Sequence, residues 1–217
     1  MTALLPAFCG APAVDRVYHC SAETLLAALP EGSVDAIITD PPYGINKANW
    51  DAFIPFDWIE EAWRVSRRII VMTGNPELIE VGTAIGKVQN VVVMHARNGM
   101  TRSKTGFANW FPALICGEWG WKPRQNYLPF NVSISEVIPH PSPKPLAAME
   151  KLLTHYTEPG WTIVDPFAGS GTTLYAAQKL NRRFIGCDVN VSYVEYARDR
   201  LARPYTPNMF ERAETAS

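Results

Sequence analysis

The sequence predicts an α/β protein built on a mostly parallel sheet, and two observations carry that reading. Short apolar runs bounded by turn residues alternate with amphipathic segments, the pattern of stacked βα units. The later amphipathic segments place apolar residues three and four apart, as at Leu146, Met149, Leu152, Leu153 and Tyr156, so each buries one stripe against a sheet. A chain of 217 residues suits a single domain, 1–217, and it carries no internal repeat.

In chain order the expected strands are 34–39, 69–73, 91–95, 162–164 and 184–187. The expected helices are 22–29, 58–67, 146–156, 172–180 and 191–201. Residues 97–145 break this alternation. Their first half is aromatic and basic, with Phe107, Trp110, Phe111, Trp119 and Trp121, and prolines crowd the stretch from Pro123 to Pro145. Proline removes a donor and fixes φ, so the segment is expected to be an elaborated loop rather than helix or central strand. Long loops in compact domains usually carry function.

Composition narrows the class. A hydrophobic fraction of 47% is ordinary for a globular protein, and no apolar run reaches the ~18 residues of a membrane span. The opening MTALLPAFCGAPA lacks the basic start of a secretory signal and Pro6 interrupts its apolar run, so it reads as a loose leader. Cys9, Cys20, Cys116 and Cys187 lie far apart, with no metal-ligand spacing; neither a metal site nor a disulfide framework is expected, and a cytoplasmic location is the default. The formal net charge is -1, yet Lys87, Arg97, Arg102, Lys104, Lys122 and Arg124 face one acid, Glu118, over 87–124. One basic face suffices for a phosphate backbone.

Two motifs carry the chemistry. Thr162-Ile-Val-Asp-Pro-Phe-Ala-Gly-Ser-Gly-Thr-Thr173 runs from a buried strand into a helix through small residues. Gly169 and Gly171 let a ligand approach the backbone, and Thr172 or Thr173 can cap the helix. It is neither a dinucleotide fingerprint nor a P-loop, which would need a lysine. A second strand follows and ends at Asp188, where an acid can accept hydrogen bonds from both hydroxyls of a ribose. The other motif, Val34-Asp-Ala-Ile-Ile-Thr-Asp-Pro-Pro-Tyr-Gly44, ends a buried strand in an acid, two prolines and an aromatic. Asp40 and the carbonyl of Pro41 are two acceptors side by side, Pro42 stiffens the turn, and Tyr43 supplies a flat face. Two acceptors gripping an exocyclic amine pull electron density back onto nitrogen, which is what methylation of such an amine requires.

On these residues, with His140-Pro-Ser-Pro-Lys-Pro145, Arg183-Phe-Ile-Gly-Cys-Asp188, Tyr193 and Arg200-Leu201, the chain resembles the β class of DNA amino-methyltransferases, the N4-cytosine and N6-adenine family. The likeness runs from about Tyr18 to Leu201. The catalytic motif precedes the glycine turn, the circularly permuted order that this class shows.

The resemblance implies a seven-stranded, mostly parallel methyltransferase sheet and S-adenosylmethionine as cofactor. It implies cofactor contacts from Asp165, Phe167, Ala168, Gly169, Ser170, Gly171, Thr172 and Asp188, with Lys144 near the methionine end. Where the family often has Gly-Asp before the first helix, this chain has Cys20-Ser21, and Ser21 can still hydrogen bond. Asp40, Pro41, Pro42 and Tyr43 are the implied base pocket, with DNA as partner and the target base flipped from the stack. Residues 97–143 become a small target-recognition region, with Arg97, Arg102, Lys104 and Trp110 as DNA contacts. Aspartate at the head of the catalytic motif leans toward adenine. Cytosine N4 methylation, an RNA substrate and a non-catalytic binding module are the alternatives, and the sequence leaves a homodimer and a cognate restriction endonuclease open.

Overall fold

The computed structural model describes residues 10–42, 55–98, 101–103, 106–120, 125–132 and 143–203, with the backbone alone for 101–103 and 106–108. Ten strands are described: β1 (Arg16–His19), β2 (Ala36–Thr39), β3 (Arg68–Met72), β4 (Val88–Ala96), β5 (Thr101–Ser103), β6 (Gly106–Ala108), β7 (Trp110–Gly117), β8 (Tyr127–Phe130), β9 (Thr162–Asp165) and β10 (Arg183–Asp188). The helices are α1 (Ala22–Ala28), α2 (Ile59–Val65), α3 (Leu78–Ile85), α4 (Leu146–Tyr156), α5 (Thr172–Lys179) and α6 (Val191–Ala202).

Eight strands form one sheet in the order β1-β10-β9-β2-β3-β7-β4-β8, and β5 and β6 form a separate hairpin. Every pairing in the large sheet is parallel except those of β7 with β3 and β4. The sheet thus has, among the described residues, one strand more than the seven expected, with β1 and β8 at its edges.

The central strands are continuous apolar runs because both faces are covered. On one face Met149, Leu152, Leu153, Leu174, Ala176, Val194 and Ala197 of α4, α5 and α6 pack against Ile38, Ile70, Met72 and Ile163. On the other, Leu25, Leu26, Ala62, Val65, Val81 and Ile85 of α1, α2 and α3 pack against Ile37, Ile69, Val71 and Val164. The alternation along β2 and β3 divides neighbouring residues between the two cores. Cys20, Cys116 and Cys187 are buried free thiols. Among the described residues no helix is long and apolar enough to cross a membrane.

All five expected strands and all five expected helices are present, displaced by a residue or two at their ends; β4 runs further, through Val88–Ala96. The reading of 97–145 as a loop is corrected. Within it β7 is an interior strand of the sheet, between β3 and β4, although it contains Pro112. In an antiparallel strand a residue's N and C=O point to the same side. Pro112 directs its carbonyl at Thr73 N, just beyond the end of β3, so its missing donor falls where that ladder has already stopped. Pro129 lies in β8, an edge strand, where proline is tolerated.

Candidate active site

The site is the crevice above the carboxyl ends of β9 and β2, which are parallel neighbours in the middle of the sheet. From β9 the chain crosses to β10 through α5 on one face; from β2 it crosses to β3 through α2 on the other. The two connections diverge, and open α/β sheets bind ligands at such a reversal.

The glycine turn leaves β9 at Asp165. Gly169 and Gly171 adopt φ of +50° and +76°, left-handed values that favour glycine. At Gly171 a Cβ would meet the Cβ of Ala197 at 2.9 Å, so α6 is pressed against the turn. The N-cap of α5 is Gly171 with no side-chain capping bond, correcting the expectation that Thr172 or Thr173 caps it. Thr172 Oγ1 instead accepts from the buried Arg200 Nη1 at 3.0 Å, and the same guanidinium reaches the Ser170 carbonyl at 3.4 Å. The side chains of Ser170 and Thr172 are therefore buried toward α6, and what the turn presents is its backbone and the half-buried ring of Phe167. That ring packs edge-on against Trp58, with centroids 5.6 Å apart.

Asp188 ends β10 beside this turn. Its Oδ2 accepts from Gly169 N at 2.9 Å and its Oδ1 from Asn190 N at 2.8 Å, which fixes the carboxylate and leaves lone pairs on both oxygens. Burial pushes this carboxyl above its ordinary range, with the amides of Asn190 and Gly169 pulling the other way. Ser21 is the N-cap of α1, accepting from Thr24 N at 3.3 Å; its carbonyl lies 3.6 Å from Cys187 Sγ, so it stands near the tip of β10.

Asp165 is 2% exposed. Its Oδ1 accepts from Thr39 Oγ1 at 2.7 Å and from Phe167 N at 3.1 Å. Burial pushes its carboxyl up to about 7, while hydrogen bonds from Thr39, Thr173 and Phe167 lower it and the charge of Asp40 raises it further.

On the other side of the crevice β2 ends at Thr39, and Asp40, Pro41 and Pro42 follow. Asp40 makes an ion pair with Lys144, both partly buried, and the ammonium sits 5.4 Å from the ring centroid of Phe111. Lys144 thus meets Asp40, the acid expected at the head of the catalytic motif, a contact that the motifs gave no means of seeing. Tyr43 and Lys104 lie outside the described residues, and Arg102 is described as backbone only.

Arg97 is exposed at the end of β4, its N–H bonded to the Phe130 carbonyl at 2.9 Å. Trp110, 38% exposed, lies opposite His95 across β4 and β7. His95 in turn is held by Tyr127 Oη at 2.6 Å and Asn109 Nδ2 at 2.9 Å, with its ring stacked on Tyr127. His95, Asn109 and Tyr127 went unnoticed in the sequence, because only β4–β8 and β4–β7 pairing brings them to Trp110.

The described side chains around the crevice suit a ribose-bearing ligand. Asp188 stands beyond the glycine turn, Asp40 is paired with Lys144 on the other side of the crevice, and the glycine turn has no lysine for a phosphate chain. A fixed carboxylate beyond a glycine turn matches a ribose. Among the described residues no cluster of His, Cys, Asp or Glu could hold a metal ion.

The sheet and the glycine turn suit an S-adenosylmethionine-dependent methyltransferase, and the comparisons with known proteins support that class. The sequence pattern of the DNA methylase family matches residues 118–199. The Type II methyltransferase M1.MboII of Moraxella bovis is 25% identical over 85% of this chain and 95% of its own length. The DNA adenine methyltransferase YhdJ of Escherichia coli (strain K12) is 26% identical over 85% and 82%. Among solved structures, M1.HpyAVI in complex with SAM superposes with a TM-score of 0.69 at 26% identity, over 87% of this chain and 99% of that one. The cytosine-N4-specific PvuII DNA methyltransferase shares the fold, with a TM-score of 0.64 at 19% identity over 92% and 89%. In these comparisons the chain is similar to DNA amino-methyltransferases of both the N6-adenine and the N4-cytosine kind.

Proposed function

We propose that the protein transfers a methyl group to the N6 amine of adenine in DNA, and that Asp40, Pro41, Pro42 and Tyr43 form the pocket for the flipped base. The observation that carries this reading is a carboxylate at the head of the catalytic turn, held at the crevice by Lys144. Asp40 and the Pro41 carbonyl accept the two amine hydrogens, so the nitrogen lone pair is localised and aimed. Bound S-adenosylmethionine supplies an electrophilic methyl. As the N–C bond forms and the C–S bond breaks, the amine becomes cationic, and Asp40 is its nearest acceptor for the departing proton. Lys144 balances the charge of Asp40 before the base arrives.

For the cofactor, we assign Asp188 to the ribose hydroxyls, and the backbone of Phe167, Ala168, Gly169, Ser170, Gly171 and Thr172 to the cradle, with Ser21 beside the tip of β10. Asp165 braces this cradle from below. The adenine assignment is supported by aspartate at position 40, the family's tendency for that base, and by likeness to an enzyme named for adenine.

Residues 97–143 are assigned to DNA recognition, through Arg97, Arg102, Lys104 and Trp110. Thr39 is level with Val91 across β3 and β7, so His95 and Trp110 stand three residues beyond the level of Asp40, His95 three strands and Trp110 two strands to its side. At about 3.3 Å per residue and 4.8 Å per strand, that is roughly 17 Å from Asp40 to His95 and roughly 14 Å to Trp110, or about four to five nucleotide steps of 3.4 Å. An exposed aromatic group beside Arg97 at that distance suits contact with the strand flanking a flipped base.

The test is direct. Unmodified DNA is incubated with enzyme and methyl-labelled S-adenosylmethionine, digested to nucleosides and weighed. N6-methyldeoxyadenosine is expected. N4-methyldeoxycytidine would overturn the choice of base, and label in RNA with none in DNA would overturn the substrate.

A further inference from the structure

The glycine turn and the catalytic turn diverge to opposite faces of the sheet, yet they must act together, since one holds the methyl donor and the other its acceptor. Between β9 and β2 the backbone pairing covers only Ala36 with Ile163 and Ile37 with Val164. Above that level a side-chain bond ties the two strands. Thr39 Oγ1 donates to Asp165 Oδ1 at 2.7 Å, with Thr39 0% and Asp165 2% exposed. The same Oδ1 accepts Phe167 N at 3.1 Å, inside the glycine turn. Thr39 immediately precedes Asp40 in the chain. A single carboxylate oxygen therefore touches the first residues of the cofactor turn and the last residue before the catalytic acid.

We propose that Thr39 is a positioning residue that transmits occupancy of the cofactor turn to Asp40, through its hydroxyl's bond to Asp165. This rests on the cofactor class assigned above and deepens the reading of the same site. A ligand that orders Phe167 and its neighbours fixes Asp165, and the hydroxyl hands that order to the turn carrying Asp40. Buried hydrogen bonds to a carboxylate are strong enough to carry such coupling, because neither partner can exchange with water. Valine matches threonine in shape but has no hydroxyl, whereas serine retains it.

The experiment is hydrogen exchange by mass spectrometry on the full chain with and without S-adenosylmethionine, reading the segments 36–42 and 165–173 separately. In the parent the cofactor slows both. In Thr39→Val it still slows 165–173, with cofactor affinity within about three-fold of the parent, and the slowing of 36–42 is lost; in Thr39→Ser both return. Thr39→Ala gives the same comparison should the valine variant fail to fold. Undiminished slowing of 36–42 in the valine or alanine variant overturns the proposal, as does a serine variant that behaves like valine, or a parent whose segment 36–42 ignores the cofactor. On DNA the valine variant is expected to lose ten-fold or more in single-turnover rate. The exchange measurement needs no DNA, so a parent inert on DNA would refute the functional reading and leave this test standing.

Discussion

Replacing Asp165 by asparagine removes a titrating group from the centre of the sheet while keeping an acceptor for Thr39 and Phe167. Burial raises its carboxyl from 3.8 to about 7, so the folded chain binds a proton more tightly than the unfolded one. The contribution to stability is then fully present below about 3.8, is lost as pH rises toward 7, and is flat above. At 1.36 kcal/mol per pH unit the whole window is worth about 4 kcal/mol, and the part between pH 5.5 and 8 about 2 kcal/mol. For a chain of this size that is roughly 4–8 °C in Tm. Thermal unfolding of parent and Asp165→Asn is followed across pH 5.5 to 8 without ligand. The difference between them is expected to move by that amount, the parent losing ground as pH rises. Taking the difference cancels other titrating groups, including Asp188. A difference that stays constant across the range would show that Asp165 does not titrate there, and would refute the argument from burial.

Asp40→Ala is expected to abolish methyl transfer while cofactor affinity by calorimetry stays within a few-fold; comparable loss of both would end the division of labour between the two turns. Asp188→Ala removes acceptors for a ribose and should weaken cofactor binding about 5- to 150-fold, from roughly 1–3 kcal/mol of lost hydrogen bonding. Unchanged affinity would remove Asp188 from the site. Arg97→Ala, Arg102→Ala and Lys104→Ala should each flatten the log-log dependence of DNA affinity on salt by about one unit where the cation meets a phosphate. A cation that reads a base edge would instead cost about 1–3 kcal/mol at one position of the recognition site. If all three bind DNA like the parent at every salt concentration, the DNA surface lies elsewhere.

The periodic elements were legible in the sequence because their signals are local. Leu146, Met149, Leu152, Leu153 and Tyr156 repeat at helical spacing, and α4 spans the residues expected of it. The two functional turns were legible for a similar reason: each is a short run in which an acid, prolines or glycines follow a buried strand, and no distant partner is needed to see it. The interior strand β7 was hidden by its context. Prolines around it argued for a loop, and only the end of β3 makes Pro112 harmless. Strand pairing likewise decided that His95, Asn109 and Tyr127 meet beside Trp110.

The bonds that join the two halves of the site lay furthest from view. Lys144 reaches Asp40 across 104 positions of chain, and Thr39 reaches Asp165 across 126. Residue types and spacing determined a glycine turn, an acid-Pro-Pro turn and a sheet to carry them, the parts to which the cofactor and the chemistry are assigned above. Which strands stand side by side is set by burying both faces of that sheet at once, and only this tertiary packing brought Asp165 under Thr39 and Lys144 onto Asp40.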